Sequence, residues 1–462
     1  MAVDNDLDTI RDEFLSIIEK DYLLGIREFL NDQNISDVAE LIYEFPEYEG
    51  KIISNMSIHR ASSVFKILDL SYQKSIIQEL PPFKTAELLN ELPADDRTSF
   101  LEELPSEVVK ELIRLLDPEE RKITLSLLGY PDGSVGRLMT PDYIAVQVDW
   151  TMAEVLEHIR EVGKESETID VIYVVNDKGE FVDDVRIREI ILANPDKIVG
   201  DIIDNRFITL KVTDDQEVAN QIFRMNNRVA LPVVDDKNLL LGIVTIDDVL
   251  WVTNEEFSED MQKMGGTEAL DEPYLEMPIM KLFKKRVVWL IVLFLGEMLT
   301  ATAMGYFEDE IAKAVVLALF VPLIISSGGN SGSQASTLII QAMAVGEIYL
   351  SDWWRVLRRE LLSGVMLGTV LGAIGFFRIV LWNSVFNTYG ENTVLIGLTV
   401  GVSLIGVVLW GTTAGSMLPI VLKKLGADPA TSSAPFVATL VDVTGLVIYF
   451  STAYFFMQDI LL

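Results

Sequence analysis

A carboxylate stands alone in the last apolar stretch of this chain: Asp442 lies within Pro435 to Met457, otherwise long enough to cross a bilayer. A charge near the centre of a membrane helix costs about 2.5–3.5 kcal/mol on insertion scales, so such residues survive where they face water, a partner or an ion path. No base accompanies it, since Lys423 and Lys424 precede the stretch. Its counter-charge is therefore a mobile cation or a proton. Ala438, Thr439, Asp442 and Gly445 share one face at helical spacing, preceded by Ser432, Ser433 and Pro435.

A second apolar stretch is interrupted by Ser326-Ser327-Gly328-Gly329-Asn330-Ser331-Gly332-Ser333-Gln334. Polar or irregular backbone at membrane depth is tolerated only where protein or a water-filled cavity surrounds it. The run lacks the lysine of a phosphate loop and the spacing of a dinucleotide fingerprint. Asn330 and Gln334, four apart, offer carbonyl oxygens to an ion or its water; the glycines and serines would equally serve close helix packing. Glu297, in the first apolar stretch, is a second intramembrane acid that either joins an ion path or hydrogen-bonds at a helix interface.

Composition narrows the cation. The 462 residues contain no cysteine and two histidines, His59 and His158, which excludes thiolate metal sites, disulfides and a histidine-rich centre. Oxygen ligands in small number fit magnesium better than calcium, because magnesium dehydrates reluctantly and is held through its water shell by one or two carboxylates.

Five apolar segments position these residues: about 287–306, 314–345, 361–382, 393–422 and 434–457. Basic clusters precede the first (Lys281, Lys284, Lys285, Arg286), separate the second from the third (Arg355, Arg358, Arg359) and the fourth from the fifth (Lys423, Lys424). The positive-inside rule puts all three in the cytosol, with the N-terminus inside and the C-terminus outside. Residues 307–310 and 383–392 then face outward, with Lys313 and Arg378 against the trend. Residues 287–462 carry 11 acids and 7 bases, which leaves 59 acids and 30 bases, a net of −29, for residues 1–286. Such acidity repels nucleic acid and suits solvation or divalent cations. Met1 to Phe14 is acidic without a basic-then-apolar run, so the reading is a cytosolic first half with no cleaved signal.

That first half contains two kinds of repeat. From about Asp8 to Gly129, short amphipathic segments end at Glu44-Phe45-Pro46, Glu79-Leu80-Pro81, Glu91-Leu92-Pro93, Glu103-Leu104-Pro105 and Leu116-Asp117-Pro118. Proline suits the first turn of the next helix, so these units predict a helical superhelix. Further on, Val171-Ile172-Tyr173-Val174-Val175-Asn176-Asp177 matches Ala230-Leu231-Pro232-Val233-Val234-Asp235-Asp236, each an apolar strand between helices. The duplication resembles a tandem of CBS domains. In the second copy, Gly242-Ile243-Val244-Thr245-Ile246-Asp247-Asp248 fits that family's closing motif, which implies that Thr245 and Asp248 hold the ribose of an adenine nucleotide such as ATP. The first copy departs from it with Arg186 and Glu189. Many such pairs only pack and dimerise.

An acidic linker follows, with Glu255, Glu256, Glu259, Asp260, Glu268, Asp271 and Glu272. Tyr130-Pro131-Asp132-Gly133-Ser134-Val135-Gly136-Arg137-Leu138-Met139-Thr140, Gly328-Gly329-Asn330-Ser331-Gly332-Ser333-Gln334 and Pro435 to Gly445, in this order of domains, resemble the MgtE family of magnesium channels and transporters. The resemblance covers nearly the whole chain. It implies a multi-domain protein and no enzyme: a cytosolic α-helical superhelical N domain (8–135), α/β tandem CBS domains (136–199 and 200–254), an acidic connecting helix acting as a plug (255–280) and an α-helical membrane domain of five transmembrane helices (281–462). It further implies a homodimer in the cell membrane whose pore runs between subunits, with Asp442, Ala438, Thr439, Asn330 and Gln334 at the ion path. Passive magnesium uptake would be closed by cytosolic magnesium among Asp95, Asp96, Asp247, Glu255, Glu256, Glu259, Asp260 and Glu268. The alternatives are a proton-coupled or broad divalent-cation transporter, carrying cobalt as well as magnesium, and a membrane-anchored nucleotide sensor without transport.

Overall fold

The computed structural model describes residues 2–18, 23–270, 274, 275, 277–308, 315–390 and 392–461. Asp271, Glu272, Glu310 and Lys313 lie outside the described residues. The chain divides into two compact units, Met1–Asn254 and Glu255–Leu462.

The first unit begins with short α-helices between Ala2 and Leu127. Most span about three turns, too short to be stable alone, so each depends on its neighbours. Helices pack on the one two further along: Ile35–Glu44 on Ile58–Ile67, that on Pro82–Glu91, and Glu49–Asn55 on Leu70–Glu79. This is the stacking of a superhelix, and Leu30, Ile42, Phe65, Ile76, Leu89 and Leu101 run through it as one core. The prolines fall where the repeat requires: Pro82 and Pro118 open their helices, and Pro93 and Pro105 cap Ala94–Glu102 and Ser106–Ile113.

Two three-stranded sheets follow, β1 (Ala145–Gln147), β2 (Val171–Val175) and β3 (Phe181–Arg186), then β4 (Leu210–Lys211), β5 (Ala230–Val234) and β6 (Leu240–Thr245). In each, the first pair is parallel and the second antiparallel, with a register shift at the last residues of the central strand, Val174/Val175 and Val233/Val234. The hairpin tips interlock through Phe181 N–H donating to the Asn238 carbonyl (2.8 Å) and Leu240 N–H to that of Gly179 (3.2 Å). Arg137 fastens the superhelix to this pair, donating to the Tyr130 carbonyl (2.8 Å), Glu102 (2.6 Å) and Asp132 (2.5 Å).

The connecting helix differs from expectation. It does not run across residues 255–280 but continues the last helix of the second sheet domain as Ile246–Met264, and the chain turns at Gly266 with a positive φ of 75°. Gly266 suits this turn because a left-handed residue without Cβ carries no steric penalty.

In the second unit five helices are long and apolar enough to cross a membrane: Ile279–Tyr306, Val315–Ala344, Leu350–Phe386, Thr393–Lys424 and Ala434–Gln458. The polar run Ser326–Gln334 lies within one continuous helix, Val321–Ala344. Its small residues make room for backbone. A Cβ on Gly411 would stand 2.4 Å from the Gly328 carbonyl oxygen, and one on Gly415 2.1 Å from that of Gly332, so the second and fourth helices touch main chain to main chain. Gly364, Gly368 and Gly372 let the third helix approach the fourth in the same way. The first membrane helix packs on the fifth and buries no residue fully.

Candidate functional site

The N-terminal turn of helix Ala94–Glu102 carries Asp95 and Asp96, where the helix dipole favours negative charge. Arg97 anchors this turn from beneath. It is fully buried and donates to the carbonyls of Leu89 (3.1 Å) and Leu92 (3.0 Å), to Thr124 Oγ1 (2.8 Å) and to Glu120. Asp95 is buried, its Oδ1 has no hydrogen-bond partner, and burial together with the nearby charges of Asp248 and Asp96 holds its carboxyl well above the usual range. Asp96 accepts an ion pair from Lys66 at 3.3 Å; burial raises its pKa, and Lys66 works against that rise.

From the second sheet domain, Asp247 and Asp248 open helix Ile246–Met264. Asp248 accepts from Thr245 Oγ1 at 2.5 Å, and burial, with Asp247 and Asp96 nearby, pushes its pKa to about 7. Glu167, from the first sheet domain, is raised by burial and by Asp96 and Asp247. Burial lowers the pKa of Lys66, but Asp96, Glu167 and Asp247 outweigh it and raise the net value. The structure thus brings Asp95, Asp96 and Asp247 together. Asp248 joins them, although sequence placed it only in a nucleotide pair. Lys66 and Glu167 were missed, because no local pattern marks two residues that meet only when three domains assemble.

In the second unit, Glu255, Glu256, Glu259 and Asp260 lie along the connecting helix. Lys263 pairs with Glu259 and donates to Asp428 Oδ2 at 2.7 Å, tying the helix to the loop before the fifth membrane helix. Burial opposes its charge, yet the hydrogen bonds it donates to Asp428 and Glu259 raise its pKa. Burial, with Asp428 adding to it, pushes the pKa of Asp260 to about 6. Glu268 stands apart, its N–H donating to the Lys285 carbonyl at 3.1 Å. Among the described residues, no three acidic or histidine side chains converge as a complete ligand set by themselves.

The membrane residues fall on two packed helices. Ala438, Thr439 and Asp442 are half-buried on the fifth, while Asn330 and Gln334 are exposed on the second. Between them Gly329 leaves its backbone bare: a Cβ there would lie 3.4 Å from that of Ala438 and 3.5 Å from Asp442 Oδ1. Thr439 spends its hydroxyl proton on the Pro435 carbonyl (3.0 Å). Glu297, from the first membrane helix, reaches hydrogen-bonding distance of Asp442, so it joins the same locus. Ser333 Oγ donates to the Ala434 carbonyl (2.9 Å), Ser336 Oγ to that of Ser432 (2.9 Å) and Trp289 Nε1 to Ser433 Oγ (3.1 Å), which fixes where the fifth helix begins.

Three family models match the chain: a divalent cation transporter domain, MgtE, over residues 321–452, the MgtE intracellular N domain over 33–133, and CBS domains over 135–196 and 199–254. The magnesium transporter MgtE of Thermus thermophilus is 38% identical over 346 residues, 75% of each chain. That of Bacillus subtilis is 27% identical over 443 residues, 94% of each chain. Among solved structures, the ATP complex of the cytosolic domain of the Mg2+ channel MgtE is similar at 30% identity and TM-score 0.51, covering 52% of this chain and 99% of that one. The soluble part of a magnesium transporter, at 24% identity and the same TM-score, shares the fold.

Proposed function

Because this chain belongs to the MgtE family of divalent cation transporters, we propose that it is a magnesium channel: a homodimer in the cell membrane with its N-terminus in the cytosol and its C-terminus outside. One observation carries the reading. Among the described residues Asp442 has no basic partner, and Asn330 and Gln334 are exposed on the membrane helix packed beside it. Lipid does not accept such a face, whereas a second copy enclosing a wet path does. Asp442 would hold hydrated magnesium electrostatically, and the Asn330 and Gln334 carbonyls would accept from its water shell. A divalent ion moving inward gains about 2.3 kcal/mol per charge per 100 mV, so no fuel is needed.

Closure by cytosolic magnesium follows from the acidic junction. The orphaned Oδ1 of buried Asp95, facing the charge of Asp248, fits a cation ligand, and Asp96 and Asp247 extend the set. Magnesium that binds the docked arrangement better than the open one shifts the equilibrium by that difference. Glu255, Glu256, Glu259 and Asp260 would bind it along the connecting helix, with Glu268 the outlying member. Thr245 and Asp248, already hydrogen-bonded, would present oxygens to a ribose, with ATP as the ligand.

Magnesium flux into liposomes under a potassium diffusion potential, with cobalt, manganese and calcium as competitors, tests the proposal; a chain that passes no magnesium ends it. The contact between Glu297 and Asp442 favours a second reading, proton-coupled transport, because hydrogen-bonded carboxyls share a proton. Flux that collapses when the pH gradient is removed at fixed voltage would select that reading.

A further inference from the structure

The ammonium of Lys66 sits among acids from three domains. Its partner Asp96 belongs, like Lys66 itself, to the superhelix; Glu167 follows the first helix of the first CBS domain; Asp247 opens the last helix of the second. A lysine in the last turn of helix Ile58–Ile67 would ordinarily be a solvated cap for the dipole. This one is mostly covered, its side chain 29% exposed and that of Asp96 23%. On the same turn Asp95 is buried with its Oδ1 unpartnered, and it lies close enough to Asp248 and Asp96 to feel their charge.

We propose that Lys66 is a resident cation of this junction: its ammonium holds a place between the superhelix and the two CBS domains that a divalent ion would otherwise fill. This rests on the reading of the junction as a magnesium sensor. A lysine is a compact point charge on a flexible stem, suited to standing in for an ion. Because it is covalently attached, it is present at every magnesium concentration. It therefore partly docks the domains when magnesium is absent, and it leaves the Asp95–Asp248 side as the place where magnesium adds. The junction then takes up fewer ions on closing than its acids alone would demand, and the response to magnesium is correspondingly shallower.

The cysteine-free chain allows a direct test, since Lys110→Cys and Lys237→Cys on exposed positions accept spin labels on the superhelix and the second CBS domain. Distances between labels are measured on the full-length protein in nanodiscs, across a magnesium titration at constant ionic strength. Lys66→Gln is expected to reduce the short-distance population without magnesium several-fold and to steepen the titration by up to about one ion per subunit, by mass action. Lys66→Arg is expected to restore both. A Gln variant with the wild-type distances and slope overturns the proposal. So does one that lowers the melting temperature of the superhelix without moving the labels, which would make Lys66 only a tie within that domain. A wild type indifferent to magnesium removes the sensor reading, and the magnesium-free comparison of Gln with wild type still decides for or against Lys66.

Discussion

In the junction of the first unit, Asp95, Asp96, Asp247 and Asp248 are answered by a lysine on the same superhelix and steadied by a buried arginine beneath. In the membrane unit, Asp442 and Glu297 come within hydrogen-bonding distance with no base beside them among the described residues, and the supporting helices offer glycine, serine and amide instead. The first arrangement carries part of its counter-charge in the covalent chain. On the proposed reading, the second leaves the whole of it to a mobile ion. A sensor has to hold a defined resting state and benefits from fixed charge, whereas a permeation site that carried its own cation would be blocked by it.

The largest effect should come from the membrane side. Asp442→Asn and Asp442→Ala are expected to abolish magnesium flux while dimer assembly persists, because removing the carboxylate also removes an insertion cost. Liposome flux beside size-exclusion of the same samples decides, and wild-type conductance in the Ala variant would break the contrast.

Next is the fixed charge of the other region. Arg97→Met leaves the Leu89 and Leu92 carbonyls and Thr124 Oγ1 without their donor, and a buried acceptor so stranded costs about 1–3 kcal/mol. Chemical denaturation should show the superhelix losing that much while the membrane unit keeps its melting temperature. Equal loss in both units would mean that the two are not independently stabilised.

A smaller effect is expected where membrane helices meet. Gly415→Ala drives a methyl into the Gly332 carbonyl, and overpacking of this kind costs about 1–3 kcal/mol. Thermal melts in detergent, followed by tryptophan fluorescence, should place the loss in the membrane unit; an unchanged transition would show that the crossing relaxes easily.

The mildest test is pH. Asp248 rises from its ordinary 3.8 to about 7 by burial, with Asp95 also raised, so the magnesium-free docked state favours their protonated forms. That contribution is complete below about pH 4 and is lost as pH rises through about 7. Between those values protons stand in for magnesium in favouring the docked state, so the magnesium concentration that closes half the channels should rise as pH is raised from 6 to 8. A midpoint that falls instead would show that protonated Asp248 does not favour the docked state.

Much of this was legible in the chain. Asp442 announced itself because a bilayer imposes one rule on a whole segment, and a residue that breaks it is visible without neighbours. The Leu-Pro marks located the helix junctions, and the duplicated strands located the CBS pair, because both signals are local. The run Ser326–Gln334 left two readings open, a polar ion path and a close helix crossing, since small residues that loosen a helix in isolation are also what such a crossing requires. The connecting helix was placed too late because its first turns belong to the closing motif of the second CBS domain. Lys66 and Glu167 left no trace, being ordinary polar residues until three domains bring them together.

The glycine crossing has a mechanical consequence. Where Gly328 and Gly332 meet Gly411 and Gly415, no side chain lies between the two backbones to bend, swing or be compressed. Sliding one helix along the other would drive carbonyls into peptide planes, so the second and fourth helices act as a single beam. Any motion that widens a path beside Asp442 must carry that beam whole or roll the fifth helix against it, and the four glycines can drift in evolution only as a set.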